Sequence, residues 1–101
     1  MLALPAVLTH TQAGLCLEQL AADIARGPRH VVLDAQALQD FDSSALAVLL
    51  ELRRACLRLG KQLTIEGAPA RLMHLASLYG VSALLQEGAQ ARTETVAFAP
   101  A

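Results

Sequence analysis

The order of hydrophobic and polar positions along the chain predicts three strands that alternate with three helices. Short apolar runs rich in β-branched residues predict strands, whereas longer segments with leucines three or four positions apart predict helices. In chain order, the predicted elements are a strand over residues 2–8, a helix over 12–26, a strand over 31–33, a helix over 43–59, a strand over 62–66 and a helix over 69–79. This alternation favours right-handed crossovers and a mostly parallel sheet with helices packed on it.

Several local signals refine these elements. Pro5 would remove one ladder hydrogen bond from the first strand, so we expect that strand at an edge of the sheet. The segment 35–41 is expected to be a loop, and Asp42 is a suitable N-cap for the helix that follows it. After the third helix, residues 81–86 predict a short helical segment. Residues 96–98 are apolar enough to add a fourth strand within a loosely held tail.

Composition indicates an aliphatic core and some uncovered apolar surface. The 101 residues are 54% hydrophobic but only 3% aromatic, and charged residues make up 17%, below the roughly 25% of ordinary domains. Apolar surface that a small domain leaves uncovered is often a binding site. The formal net charge of -1 gives no electrostatic argument for nucleic-acid binding. Four basic residues lie near the end of the second predicted helix, and we interpret them as solvent-exposed side chains that complement the helix dipole: Arg53, Arg54, Arg58 and Lys61.

No segment of the sequence predicts insertion into a membrane. The longest uninterrupted apolar run, residues 45–50, is far shorter than a bilayer-spanning helix. The apolar N-terminus has no basic lead-in of the kind that begins a signal sequence. We therefore expect the chain in the cytosol, unless a partner holds it at a membrane.

Catalytic, metal and cofactor motifs are not evident. The glycines are isolated and form no phosphate-binding loop, and His10, His30 and His74 have no metal-ligand spacing with the cysteines. Cys16 and Cys56 occur within apolar helical patterns, where free thiols are usually structural. A Cys–His nucleophile pair stays open as an alternative, because its members need to be adjacent only in space. We expect neither enzyme activity nor a cofactor or metal.

The segment that begins the second helix carries the strongest functional signal. Asp42, Ser43 and Ser44 place a carboxylate and two hydroxyls before a strongly apolar helix. The simplest interpretation is capping, in which Asp42 accepts hydrogen bonds from the first turn. In the alternative interpretation, Ser43 is exposed at the positive end of the helix dipole, where an anion or a phosphorylated side chain is stabilised. Ser43 would then be a switch or a docking position.

On a helical wheel, the second helix has two apolar stripes. The stripe expected to face the core comprises Ala45, Val48, Leu49, Leu52, Cys56 and Leu59. A second stripe contains Leu46, Leu50 and Leu57 and is interrupted by Arg53. It packs either against a neighbouring helix of the same domain or against another protein. In the latter case, the partner-binding residues are Asp42, Ser43, Ser44, Leu46, Leu50, Arg53, Arg54 and Leu57.

The run Asp-Ser-Ser-Ala-Leu at residues 42–46 resembles the STAS domain family, the sulfate-transporter and anti-sigma-factor-antagonist domains. In that family an Asp-Ser or Asp-Thr pair is followed by a small residue and a Gly-Leu pair that opens a helix, so Ala45 departs from the usual Gly. The downstream run over residues 72–85, which includes Leu-Tyr-Gly-Val, is similar to the STAS subunit of the bacterial phospholipid ABC transporter that maintains lipid asymmetry. The resemblance spans residues 2–86.

The resemblance implies an α/β fold. We expect a single STAS-like domain over residues 1–87, with a mostly parallel four-stranded sheet and helices packed on it, and a C-terminal tail over residues 88–101. The implied function is non-catalytic: the chain binds the cytosolic ATPase of the phospholipid transporter and is peripheral to the inner membrane through that partner. Ser43 matches the position that is phosphorylated in the antagonist branch and that lies at the ATPase contact in the transporter branch.

Two other functions stay open as alternatives. An anti-sigma factor antagonist would bind an anti-sigma factor kinase and be switched by phosphorylation of Ser43. A domain that binds a nucleotide or lipid directly would use the exposed helix N-terminus, but the sequence shows neither a glycine loop nor a basic pocket to complete such a site. None of these functions requires nucleic acid or direct membrane insertion.

Overall fold

Parallel strands alternate with helices in the computed structural model of the chain, which describes residues 2–81 and residue 84. In chain order, the described elements are β1 (Leu2–Ala3), β2 (Val7–Leu8), α1 (His10–Arg26), β3 (His30–Asp34), β4 (Asp40–Phe41), α2 (Ser43–Arg58), β5 (Gln62–Glu66) and α3 (Ala70–Leu78). Every strand pair in this part of the chain is parallel. The predicted α/β class, with parallel strands and packed helices, is therefore confirmed.

The described strands form two sheets. A three-stranded sheet has the order β1-β3-β5, and a two-stranded sheet pairs β2 with β4. The predicted first strand is split because Pro5 has no N–H to donate to a ladder. The chain changes its pairing at this point. The Leu4 N–H donates to the Asp34 oxygen beside the main sheet, whereas the Ala6 oxygen accepts from the Asp40 N–H beside the small sheet.

Two sequence expectations change accordingly. The prediction that segment 35–41 is entirely a loop is wrong, because Asp40 and Phe41 form β4. Such a short strand is hidden in the sequence, since two residues cannot show an alternation of apolar and polar positions. The predicted fourth strand at residues 96–98, and most of the predicted helix over 81–86, lie outside the described residues.

One face of the main sheet supports the hydrophobic core. In β3, Val31 and Leu33 are buried and alternate with more exposed residues, as in a strand with one covered face. Leu63 and Ile65 pair with these two residues but are only partly buried, because β5 is at the edge of the sheet. Strands β2 and β3 and all three described helices supply the largest fully buried side chains: Leu8, Ile24, Leu33, Leu49, Leu52, Cys56 and Leu72.

The core face of α2 follows the helical wheel except at its end. Burial confirms the prediction at Ala45, Val48, Leu49, Leu52 and Cys56. Leu59, the last residue of the predicted core stripe, is instead 51% exposed. The helix ends at Arg58 and Leu59 is its C-cap, so the side chain of Leu59 no longer follows the helical period.

Lys61, which follows α2, holds the C-terminal end of α1. Its Nζ donates hydrogen bonds to the backbone oxygens of Ile24 and Gly27, the latter at 2.8 Å. The last turn of a helix presents carbonyl oxygens at the negative end of its dipole, where a cation is stabilised. Lys61 therefore ties α1 to the segment that connects α2 to β5.

Candidate functional site

Two strand–helix junctions lie side by side at one end of the molecule. β2 leads through Thr9 into α1, and β4 leads through Asp42 into α2. Because Leu8 pairs with Phe41 in parallel register, the two N-cap residues occupy neighbouring positions. The N-termini of α1 and α2 therefore meet at the same end of the molecule.

Asp42 contacts both of these helix N-termini. Its Oδ1 accepts a hydrogen bond of 2.8 Å from the Ser44 N–H in α2, and its Oδ2 accepts one of 3.2 Å from the His10 N–H, the first residue of α1. The first bond confirms the predicted N-cap. The second joins two helices through one carboxylate, which the sequence does not indicate because the two residues are 32 positions apart.

These hydrogen bonds also determine the charge of Asp42. The hydrogen bond from the Ser44 N–H lowers the pKa of the Asp42 carboxyl below its ordinary value, and the hydrogen bond from the His10 N–H contributes to a smaller extent. Desolvation acts in the opposite direction but does not outweigh these hydrogen bonds. Asp42 is therefore a carboxylate at neutral pH. Its negative charge lies at the positive ends of two helix dipoles, so another anion would meet a position that is already occupied.

The two serines after Asp42 differ in their accessibility. Ser43 is exposed at the first position of α2, whereas Ser44 is half-buried and its N–H is bound by Asp42. No histidine in the part of the chain that the structure describes is hydrogen-bonded to Ser43, so the geometry provides no general base to activate it as a nucleophile. Ser43 is thus an exposed residue at the start of α2.

Arg71, in the first turn of α3, contacts the residue that precedes Asp42. The guanidinium carbon of Arg71 lies 4.4 Å from the centroid of the Phe41 ring, and Phe41 immediately precedes Asp42. Phe41 is buried, so it gives Arg71 a fixed support. A cation over an aromatic face is attracted by the ring. We refer to Asp42, Ser43 and Arg71 as the N-terminal edge.

The predicted second apolar stripe of α2 is not a continuous exposed surface. Leu46 is only 3% exposed and belongs to the core, so at this position the stripe is covered within the domain and the prediction of Leu46 as a partner-binding residue is wrong. Leu50 is half-buried and packs against the core, whereas Leu57 is 60% exposed. The stripe is partly buried because α2 contacts both α1 and α3. Two neighbouring helices cover a wider part of the α2 surface than the single core-facing stripe.

The basic residues of α2 have different environments. Arg53 is half-buried. Arg54 is exposed, and its Nη1 lies 2.6 Å from Oε2 of Glu51, one turn earlier in the helix. An exposed pair of this kind contributes little to stability, so contact with another protein could replace it. The partner-binding role is still a prediction for Asp42, Ser43, Ser44, Leu50, Arg53, Arg54 and Leu57.

The remaining candidate groups have structural environments. Burial raises the pKa of the Cys16 and Cys56 thiols, which opposes formation of the thiolate that a nucleophile needs. The His30 Nε2 lies 2.9 Å from the Thr64 Oγ1 of the neighbouring strand. Among residues 2–81 and 84, no three acidic, cysteine or histidine side chains come together as a possible metal site. Within the same residues, no helix combines the length and apolar character needed to cross a bilayer.

Residues 1–87 match the protein-family model described as Mlab, STAS domain. The chain therefore belongs to the STAS domain family, whose members are generally non-catalytic, and the predicted membership is confirmed. Within that family, the matching model is the Mlab type.

The fold is similar to that of the SulP transporter STAS domain from Vibrio cholerae. The TM-score is 0.62 and the sequence identity 17%, over 84% of this chain and 67% of that chain. At this identity the similarity shows the fold alone. No curated protein matches the chain.

Proposed function

We propose that this chain is a non-enzymatic accessory subunit that binds the cytosolic ATPase of a phospholipid ABC transporter and so helps to maintain outer-membrane lipid asymmetry. The match of residues 1–87 to the Mlab STAS model carries this proposal. The geometry supports a binding role, because the N-terminal edge exposes Ser43 beside the fixed Asp42 carboxylate and exposes Arg71 over the ring of Phe41. The partner would hold the chain at the cytosolic side of the inner membrane.

The proposed interface has a polar part and an apolar part. The polar part is the N-terminal edge, where Asp42 fixes the starts of two helices and Ser43 offers a hydroxyl. The apolar part is Leu57, which is 60% exposed and lies about four helical turns, or roughly 21 Å, further along α2. Its burial against a partner would contribute transfer free energy. A partner that contacts both parts must cover the length of the helix.

Co-purification with the ATPase, after co-expression of the full chain, tests this proposal. We expect Leu57→Asp to abolish co-purification, because a charge replaces an apolar contact. Thermal unfolding should be unchanged, since the side chain is exposed in the free domain. The matched control is Leu15→Asp in α1, where the leucine is 62% exposed. The control introduces the same charge outside the proposed interface and should co-purify like the wild type.

Two results would contradict the proposal at different levels. A wild-type chain that does not co-purify with the ATPase excludes the proposed partner. A Leu57→Asp variant that co-purifies normally removes the apolar part from the interface. Leu50→Asp is not an equivalent test, because Leu50 packs against the core and a charge there would destabilise the fold.

The exposure of Ser43 also supports a second candidate function, that of an anti-sigma factor antagonist. A partner kinase would then phosphorylate Ser43 and add about two negative charges beside Asp42, which would repel an acidic partner. Incubation with kinases of the same organism, followed by intact-mass measurement, tests this function. Addition of one phosphate that is absent from Ser43→Ala supports it, and an unmodified wild-type chain contradicts it.

A further inference from the structure

Arg71 is at an electrostatically unfavourable position of its own helix. It lies in the first turn of α3, where the helix dipole is positive and an acidic residue would be stabilising. No acidic residue occupies that turn, and the N-cap Pro69 provides no side-chain hydrogen bond. The stability of α3 therefore does not explain an arginine at this position.

The guanidinium group has a defined position but no counterion among residues 2–81 and 84. It lies over the ring of Phe41, the residue that precedes Asp42 in the chain, yet Arg71 makes no ion pair or hydrogen bond with any residue that the structure describes. Asp42 does not act as its counterion: it forms no ion pair with Arg71, and its two carboxylate oxygens accept hydrogen bonds from the backbone N–H groups of Ser44 and His10. The planar guanidinium keeps its N–H donors for another molecule.

The acidic residues at the ends of β3 and β5 do not supply the missing anion, and Asp40, which precedes Phe41 in β4, forms no ion pair with Arg71. Asp34 and Glu66 are paired at the ends of β3 and β5. They alternate with the core-facing Leu33 and Ile65, so their side chains point to the face of the sheet away from the core. The Asp34 Oδ1 also accepts a hydrogen bond of 2.8 Å from the Gln36 N–H. Neither of these residues therefore supplies a counterion on the helix side of the sheet, where Arg71 lies in α3.

We infer that Arg71 binds a carboxylate side chain of the protein that docks on the N-terminal edge, and that it thereby selects an acidic segment of that partner. The inference rests on the proposed function in that it requires a protein to dock there. An arginine matches a carboxylate through two parallel hydrogen bonds, and the pair becomes stronger when the interface excludes water. Phe41 restricts the guanidinium before binding, which reduces the entropy lost on association.

Affinity measurements with the purified ATPase and the full chain test this inference. We expect Arg71→Gln to weaken binding about tenfold, because the charge is lost, and Arg71→Glu to weaken it further, because two carboxylates then meet. The matched control is Arg29→Glu, which makes the same charge change just before β3, at the opposite end of the strand. The control should bind within about twofold of the wild type. Thermal unfolding of each variant checks the fold.

Two further variants separate charge from geometry. Phe41→Leu keeps an apolar side chain but removes the ring beneath the guanidinium, so binding should weaken less than in Arg71→Gln. Arg71→Lys keeps the charge but not the planar donor pair, so its affinity should lie between those of the wild type and Arg71→Gln. Recovery of Arg71→Glu binding by an acid-to-lysine change in the ATPase would identify the carboxylate.

The possible outcomes distinguish this inference from the proposed function. If the Arg71 variants bind the ATPase like the wild type, the inference is overturned and the proposed function stands. If the wild type does not bind the ATPase, the proposed function fails, and the variants are measured against the anti-sigma factor kinase.

With the kinase, weaker binding of the Arg71 variants than of the wild type supports the inference. Equal binding of the variants and the wild type overturns it. The inference is also overturned if the wild type binds neither the ATPase nor the kinase. An effect seen only after Ser43 phosphorylation overturns it too, because Arg71 would then hold the phosphate.

Discussion

At one end of the α1–α2 pair a carboxylate joins the two helices, and at the other end an ammonium group secures them. Asp42 accepts hydrogen bonds from N-terminal N–H groups of both helices. Lys61 donates to backbone oxygens at the end of α1. Each charge lies at the dipole end that stabilises it. The same electrostatic rule therefore fixes the helix pair at both ends.

The two ends differ in what they leave for a partner. The Lys61 side chain is half-buried and its ammonium donates to the backbone oxygens of Ile24, Ala25 and Gly27. At the Asp42 end, by contrast, Ser43 is exposed, and the Phe41 ring is the one contact that the Arg71 guanidinium makes with a charged, polar or aromatic group in the described part of the chain. Lys61 and Arg71 are both cations, but only Lys61 donates hydrogen bonds to described backbone oxygens. The hydrogen-bond partners, and not the residue type, therefore indicate which charge stabilises the fold and which is available for binding.

The largest effect at the Asp42 end is expected for Asp42→Ala, because this change removes the contacts with both helix starts. We expect the melting temperature to fall by about 5–10 °C. Asp42→Asn keeps one carbonyl oxygen and should therefore lose only one of the two contacts, with a smaller fall. Thermal unfolding followed by circular dichroism measures both changes. An Asp42→Ala variant as stable as the wild type would show that the carboxylate does not join the helices.

At the other end, Lys61→Met keeps the apolar stem and removes the ammonium group. The Ile24 and Gly27 oxygens then lose a charged donor, and we expect the free energy of unfolding to fall by about 1 kcal/mol, measured by urea denaturation. The control is Arg58→Met, which removes an exposed cation from the last turn of α2 and should change stability by less than about 0.5 kcal/mol. Equal losses in the two variants would indicate a general charge effect.

Acid should weaken the Asp42 end selectively. Hydrogen bonds, chiefly that from the Ser44 N–H, lower the folded-state pKa of Asp42, so its ionised form stabilises the fold above the ordinary pKa of an aspartate. This stabilisation is lost as the pH falls through the folded-state pKa, because both the folded and the unfolded states then bind the proton. We expect the difference in unfolding free energy between the wild type and Asp42→Asn to narrow from about pH 7 to about pH 3. A difference that does not vary with pH would contradict this account.

The sequence predicts the parts of this site that obey local rules. An acid followed by serines before an apolar helix indicates both the Asp42 cap and the exposed position of Ser43. The contacts between Asp42 and His10, and between Arg71 and Phe41, join residues that are distant in the chain. The first of these depends on the pairing of β2 with β4, and strands of two residues leave no periodic signal.

Burial along α2 shows a second limit of sequence analysis. A helical wheel identifies the core face but does not reveal how many elements surround the helix or where the helix ends. Leu46 is buried because α2 contacts both α1 and α3, and Leu59 is exposed because α2 ends at Arg58. The wheel therefore predicts burial well along the middle of α2 and poorly close to its two ends.

The smallest effect on stability is expected for Ser43→Ala. The Ser43 side chain is exposed and alanine favours the helix, so the melting temperature should change by about 1 °C or less. Ser44→Ala should reduce stability more, because the Ser44 hydroxyl also contributes to the lowered pKa of Asp42. Affinity for the ATPase should nevertheless fall in Ser43→Ala if this hydroxyl belongs to the interface. If Ser43→Ala lowered the melting temperature as much as Asp42→Ala, both side chains would stabilise the fold. The contrast between the two ends of the helix pair would then disappear.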